Sequence, residues 1–333
     1  MNRFAHRIGR RGLLGGAGAL LAMPAIAQTA QTTLRFATLY TPQHSANRSS
    51  QWFADEVSKQ TDGKLHIQVY PNAVLGNEDE AVQGVRNGTI DICYGGVVGF
   101  GGYVRDIRVL ELPYLYSDLD QLAQVANNVA PIIDTLYSNV GLKRLSFQFD
   151  GPRMTLATRP LRSFADFKGL KMRVPQSPVY IEMVKAFGAI PTPIALPEAY
   201  TALQAHVADA IEGSATSMYT SKYYEVARNL VRTDHIFFTS YVAINPGVFG
   251  RLPAEWQKIL VDTGNRATDY NLQISKAASQ ADLAQLVKVS QSVSTPDREP
   301  FKKAVQVPNE KYAASLGGRA MELYKQVQAV TGH

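Results

Sequence analysis

Arg173 stands in the run Gly169-Leu170-Lys171-Met172-Arg173-Val174-Pro175, where Leu170, Met172 and Val174 alternate along one face. That alternation predicts a short strand, and a guanidinium opposite its apolar face would be held on rigid backbone. The planar donor fork of arginine matches the two oxygens of a carboxylate, so the chemistry on offer is a two-pronged grip on an acid. A solvated arginine on an exposed sheet face is the ordinary alternative, because charged residues are mostly exposed. Two helix starts fall at predicted strand ends, at Gln176-Ser177-Pro178 and at Ser45. In open α/β sheets ligands sit beyond the carboxyl ends of strands, where helix N-termini also point. Arg173 and Ser45 therefore converge on one expected anion site.

Other chemistries leave no trace in the sequence. There is no phosphate-binding Gly-x-x-x-x-Gly-Lys-Ser/Thr loop, no His-Glu-x-x-His, no Cys-x-x-Cys and no Gly-x-Ser-x-Gly elbow. The glycines at 95, 96, 99, 101 and 102 lack dinucleotide-binding spacing and fit a tight turn beside a ligand. His44, His66, His206 and His235 are scattered and read as surface or cap residues. Glu78 and Glu80 read as solvated charges on a helix surface. No cofactor or metal is expected, and nothing points to catalysis.

The first 27 residues read as a signal peptide outside the fold. Arg3, Arg7, Arg10 and Arg11 form a basic region, Leu13 to Met23 is a short apolar stretch, and Ala25-Ile26-Ala27 is a small-x-small cleavage signal. Arg10-Arg11 followed by Gly12-Leu13-Leu14 suggests the twin-arginine route, with a general secretory signal as the alternative. The whole chain carries 34 basic and 28 acidic residues. Removing the four arginines of the signal leaves 30 against 28, so the pI of 9.2 is largely a targeting effect and gives no argument for nucleic acid. The lone Cys93 lies in an apolar run and reads as a buried thiol, so the fold must rest on its core. The expectation is an exported, periplasmic protein that acts as a monomer.

The elements that must position Arg173 follow from the pattern. Strand-like Leu34–Tyr40, helical Ser45–Gln60, alternating Leu65–Val69, a helix capped by Asn77 with Glu80 three residues later, and apolar Ile90–Tyr94 give β-α-β-α-β. A similar series returns after residue 150, with strands at 170–174, 190–195 and 207–211. The fold class is α/β, as two domains rather than one large sheet, with a ligand cleft between them. Pro253 to Val287 predicts one or two long amphipathic helices bracing the domains, and Gly317 to Val330 a final surface helix. The expected division is 28–150 plus about 239–278 for the first lobe, and 151–238 plus about 279–333 for the second.

Several runs, in order and at matching spacing over nearly the whole mature chain, carry a resemblance. They are Val69-Tyr70-Pro71-Asn72-Ala73-Val74-Leu75-Gly76, Gly88-Thr89-Ile90-Asp91-Ile92, Leu112-Pro113-Tyr114-Leu115-Tyr116, and above all Asp166 through Pro175. Gly188-Ala189-Ile190-Pro191-Thr192-Pro193, Tyr200-Thr201-Ala202-Leu203-Gln204 and Ser221-Lys222-Tyr223-Tyr224-Glu225-Val226 continue it. The chain resembles the solute-binding subunits of tripartite ATP-independent periplasmic (TRAP) transporters.

That resemblance implies two α/β lobes, a bracing helix and a closing cleft in which the arginine matching Arg173 holds a ligand carboxylate. Arg153, in Gly151-Pro152-Arg153, matches an assisting arginine. The family's Asp-Gly-x-Glu-Asn is Asp209-Ala210-Ile211-Glu212-Gly213 here, so Gly213 replaces a polar contact that Ser214 or a water could supply. Gly96 stands where sialic-acid binders place a glutamate and Leu196 where many place a stacking phenylalanine, which speaks against sialic acid. Ser45, Gly96, Leu196 and Tyr219 complete the expected pocket wall. The function implied is capture of a small organic acid, a C4-dicarboxylate or a sugar acid of the uronate type, for a TRAP-type membrane permease. A sensor-linked binding protein and an exported enzyme are the alternatives.

Overall fold

The computed structural model describes residues 31–332. The expected signal peptide lies outside the described residues. Among them no helix is long and apolar enough to cross a membrane.

The first half runs β1 (Thr32–Ala37), α1 (Ser45–Gln60), β2 (Leu65–Tyr70), α2 (Glu78–Asn87), β3 (Ile92–Gly96), α3 (Val97–Phe100) and α4 (Leu119–Ser138). The long β4 (Lys143–Ala157) leads to β5 (Lys171–Val174), α5 (Pro178–Ala186), β6 (Ile190–Pro193), α6 (Ala199–Gln204), β7 (Ala210–Ser214) and α7 (Ala215–Thr220). A second long strand, β8 (Asn229–Ile244), is followed by α8 (Pro246–Arg251), α9 (Ala254–Val289), β9 (Ser292–Ser294), α10 (Glu299–Leu316) and α11 (Gly318–Thr331).

The local signals act as their chemistry predicts. Asn77 Oδ1 accepts the Glu80 N–H at 3.1 Å while Glu80 Oε2 accepts the Asn77 N–H at 2.8 Å, a reciprocal cap on α2. Gly88 ends that helix at φ 80°, a conformation that favours glycine. Pro178 opens α5, but the Ser177 hydroxyl makes no capping bond.

Strands pair in parallel within each half, β2-β1-β3 on one side and β7-β5-β6 on the other. The expectation of two separate sheets is corrected in one respect. β4 and β8 are antiparallel partners that run through both halves, so the hydrogen-bonded order is continuous: β2-β1-β3-β8-β4-β7-β5-β6. The register slips between Asp150 and Arg153, where the β4 ladder is irregular.

Helix α9 is one 36-residue rod, about 54 Å long at 1.5 Å per residue. Its buried face carries Gly264, Ala267, Asn271, Ser275 and Ser279, a small and polar stripe rather than an apolar one. Small residues let the helix lie close along β4. A Cβ on Gly264 would stand 2.3 Å from the Leu145 carbonyl oxygen, and one on Gly151 would stand 2.1 Å from Ser279 Oγ. Between these contacts Asn271 Oδ1 accepts the Phe149 N–H at 2.6 Å. The core fills both faces of the sheet, with Phe167, Phe187 and Phe301 packed edge to face under α10. Cys93 is buried, and burial pushes its thiol pKa up.

Candidate functional site

A cavity opens between the two halves of the sheet. One wall comes from the first half, with Tyr40, Glu78, Gly96 and Glu111; the other comes from the second, with Arg173, Leu196, Gly213 and Tyr223. Arg153, Phe238 and Ser240 reach it from the shared long strands.

Arg173 sits in β5 between β6 and β7, paired in register with Thr192 and Ile211. Only 2% of it is exposed. Its Nε and Nη2 donate to the Ile194 carbonyl at 2.9 and 2.7 Å, which fixes the plane of the guanidinium. Among the described residues no carboxylate lies within ion-pair distance of it. Burial lowers its pKa, as expected for a cation without a counter-charge, although Tyr223 and Glu212 work the other way. It is anchored, desolvated and unneutralised.

Arg153 is arranged differently. Its Nε and Nη2 donate to Glu212 at 2.5 and 2.7 Å, a bidentate pair with both side chains buried. The guanidinium also lies over the Tyr180 and Phe238 rings at 4.9 and 5.1 Å. Burial opposes the Glu212 charge, but Arg153 and His235 together bring its pKa down to about 2. His235 Nδ1 lies 2.8 Å from the Thr233 hydroxyl and Nε2 lies 3.4 Å from Glu212. Burial lowers the His235 pKa, so the neutral ring with its proton on Nε2 satisfies both neighbours. Arg153 thus reaches the cavity with its charge largely balanced.

Three acids line the cavity from the first half, the exposed Asp79 and the more deeply set Glu78 and Glu111. Glu78 Oε1 accepts the Gly96 N–H and, at 3.2 Å, the Gly99 N–H. The reading of Glu78 as a solvated helix-surface charge is thereby corrected; Glu80 keeps its capping role at the surface. Glu111, at the end of the 3-10 turn Arg105–Glu111, is 1% exposed and accepts the Tyr180 hydroxyl proton at 2.9 Å. Burial raises the pKa of Glu78 to about 7 and of Glu111 to about 8, against the lowering effect of those bonds.

Of the residues singled out in the sequence, Arg173, Arg153, Gly96, Leu196 and Gly213 line the cavity. Ser45, Ser214 and Tyr219 do not. Ser45 is wholly buried in the first turn of α1. The Ser214 hydroxyl donates to Asp150 Oδ2 at 2.6 Å and caps α7 through the Ser217 N–H, so it is consumed internally. Tyr219 stacks on Tyr224 with ring centroids 5.7 Å apart. Ser217 of α7, not Ser214, joins Ser240 on the cavity wall. His44 is a cap, as read, but a buried one: its Nδ1 accepts the Ala46 N–H at 3.1 Å and its Nε2 faces Ser217 and Asp150. His235 is likewise buried rather than on the surface.

A buried cleft between two α/β halves with an anchored arginine on its wall is the arrangement of a solute-binding protein. The family model for bacterial extracellular solute-binding protein, family 7 (DctP) matches residues 36–315, and the chain belongs to that family. Its members are periplasmic binding proteins of TRAP transport, and the chain is one of them. The sialic acid-binding periplasmic protein SiaP of Vibrio cholerae is 29% identical over 90% of this chain and 94% of its own. The C4-dicarboxylate-binding periplasmic protein DctP of Rhodobacter capsulatus is 27% identical over 96% of this chain and 98% of its own. A TRAP periplasmic solute-binding protein from Xanthobacter autotrophicus Py2, solved with β-D-galacturonate, superposes with a TM-score of 0.84 at 26% identity, covering 89% of this chain and 99% of that one.

Proposed function

We propose that this protein captures a small organic acid, a sugar acid of the uronate type or a C4-dicarboxylate, and delivers it to a TRAP-type permease. The observation that carries the reading is Arg173, buried on the cavity wall with its fork anchored and no carboxylate partner among the described residues. A ligand carboxylate supplies the missing charge, and closure of the two lobes removes water from the pair. Arg153, Gly96, Leu196 and Gly213 shape the rest of the pocket; Ser45, Ser214 and Tyr219 act behind it. The protein binds its ligand and releases it chemically unchanged.

The two lobes divide at 150/151, 238/239 and about 278/279. Two contacts and one irregularity support that division. Asp150 pairs in register with Phe238, the β4 ladder is irregular just beyond Asp150, and Gly151 packs against Ser279. All three chain crossings therefore meet at one level of the molecule.

The test is thermal unfolding of the mature protein, refolded to remove carried-over ligand, against a panel of uronates, aldonates and dicarboxylates. A ligand stabilises by RT ln(1 + [L]/Kd), about 2.7 kcal/mol at a hundredfold excess over Kd. One acid class should raise the midpoint, and Arg173→Ala should abolish the rise. No shift across the panel, or a shift untouched by Arg173→Ala, overturns the reading.

A further inference from the structure

Glu78 and Glu111 come from different elements, yet they converge over Gly96. The point where a Gly96 Cβ would stand lies 3.5 Å from Glu78 Oε1, 3.7 Å from Glu111 Oε1 and 3.3 Å from Ser240 Oγ. The two carboxyl oxygens are therefore within the sum of the first two distances of each other. Backbone donors of one turn serve both, Gly96 and Gly99 for Glu78 and Val97, at 3.4 Å, for Glu111. Ser240, opposite Gly96 in the β3–β8 ladder, is 1% exposed and its hydroxyl has no hydrogen-bond partner among the described residues. Glycine at 96 leaves this space open to the cavity.

The cations do not balance this end of the pocket. Glu78 and Glu111 feel the charge of Arg153, whose fork is already committed to Glu212. Arg173 feels Tyr223, Glu212, Arg153 and Tyr40 instead. Arg173 stands on β5 in the second half, the Arg153–Glu212 pair joins from the shared strand β4, and the two acids and Ser240 gather at Gly96 in the first half.

We infer that Glu78 and Glu111 form a selectivity wall that restricts the ligand to acids with a single carboxylate, whose far end carries hydroxyl donors. This rests on the proposed grip of Arg173 on a ligand carboxylate. A second carboxylate would enter a buried space already holding two acids, with no uncommitted cation to meet it. Hydroxyls fit the same space, because each can donate to a glutamate oxygen and accept from Ser240.

The experiment is calorimetric titration at pH 8.5 with matched pairs that differ by one carboxylate: D-galacturonate and galactarate, D-gluconate and glucarate, D-erythronate and tartrate. Wild type should bind at least one single-carboxylate member 30-fold or more tightly than its partner. Glu78→Gln and Glu111→Gln, near-isosteric changes made singly, should each narrow that ratio at least fivefold while the protein still melts cooperatively. A dicarboxylate bound within threefold of its partner in wild type overturns the inference. So does a ratio unchanged in both variants. Binding of a dicarboxylate alone overturns the wall but leaves the Arg173 grip standing, whereas silence from every acid removes both.

Discussion

Removing the Arg173 side chain should separate binding from folding. In the free protein the guanidinium is 2% exposed and bonded, among the described residues, only to the Ile194 carbonyl, with burial pulling its pKa down. A buried cation without a counter-ion is a cost to the free fold, so replacing it with an apolar side chain of similar length removes that cost. Arg173→Met should therefore leave the midpoint of the free protein unchanged or raise it. In the complex the same side chain carries the charge-assisted bonds to the ligand carboxylate. Truncating one partner of a buried charged pair typically costs about 2–5 kcal/mol. At about 1.4 kcal/mol per tenfold, that weakens Kd by roughly 30- to 4000-fold. Arg173→Lys keeps the charge but replaces the planar fork with a point ammonium, so it should fall between wild type and Met. Calorimetry with the acid found in the thermal panel measures the loss, and scanning calorimetry of the free protein measures the stability. A Met variant that binds within threefold of wild type would refute the reasoning. So would a variant whose lost affinity is matched by an equal loss of free stability.

Three further outcomes follow from other contacts. Glu212→Gln leaves Arg153 buried and unpaired, and should cost about 3–5 kcal/mol of stability, read as a fall in the urea midpoint; an unchanged midpoint would show the pair to be dispensable. Glu111 has its pKa raised to about 8 in the fold, above the 4.5 usual for a glutamate. A raised carboxyl pKa favours the folded state at low pH, and that advantage is lost as pH climbs from about 4.5 through about 8. Glu111→Gln should therefore flatten the decline in melting temperature between pH 5.5 and pH 8.5, and parallel curves would contradict the assignment. At the lobe boundary Gly151→Ala places a Cβ 2.1 Å from Ser279 Oγ and 2.7 Å from Ser279 Cβ, which forces α9 off β4. A cost of about 1–3 kcal/mol is expected. Ser279→Gly should restore the midpoint, and failure of that rescue would place the strain elsewhere.

What the sequence made legible is local. The alternation of Leu170, Met172 and Val174 locates β5, and the Asn77–Glu80 pair locates the start of α2 to the residue. The long shared strands were missed. Gln148, Asp150, Arg153 and Thr155 in β4, and Thr233, His235, Thr239 and Ser240 in β8, are buried polar residues, and Arg153 and Ser240 among them line the cavity. In β8 they interrupt the period-two signal on which strand recognition depends, whereas β4 kept that signal, with Leu145, Phe147 and Phe149 alternating with Ser146, Gln148 and Asp150, and it went unread. Helices α4 and α10 were masked by Pro131 and Pro308 inside them, residues that ordinarily end a helix. At the site, Arg173 was readable because its strand is. Glu78 was misread because an acid in the first turn of a helix already has a local explanation in the helix dipole. Its partners Gly96 and Gly99 lie elsewhere in sequence. Glu111 did leave a trace, as a single acid in the apolar run Val109-Leu110-Glu111-Leu112.

The two long strands also impose a timetable on synthesis. β3 ends at Gly96, and its antiparallel neighbour β8 ends at Ile244. At about 5–20 residues per second a ribosome needs roughly 7 to 30 s to make the chain between them. Throughout that interval one edge of β3 waits without its partner, joined, once β4 is made, by the β4 edge that will meet β8, and unpaired strand edges invite association with other chains. Neither lobe can close its sheet from the N-terminal half alone. The nascent chain is therefore a long-lived client for whatever holds unfolded proteins in the cell, and folding completes only after the ribosome has delivered nearly three-quarters of the chain.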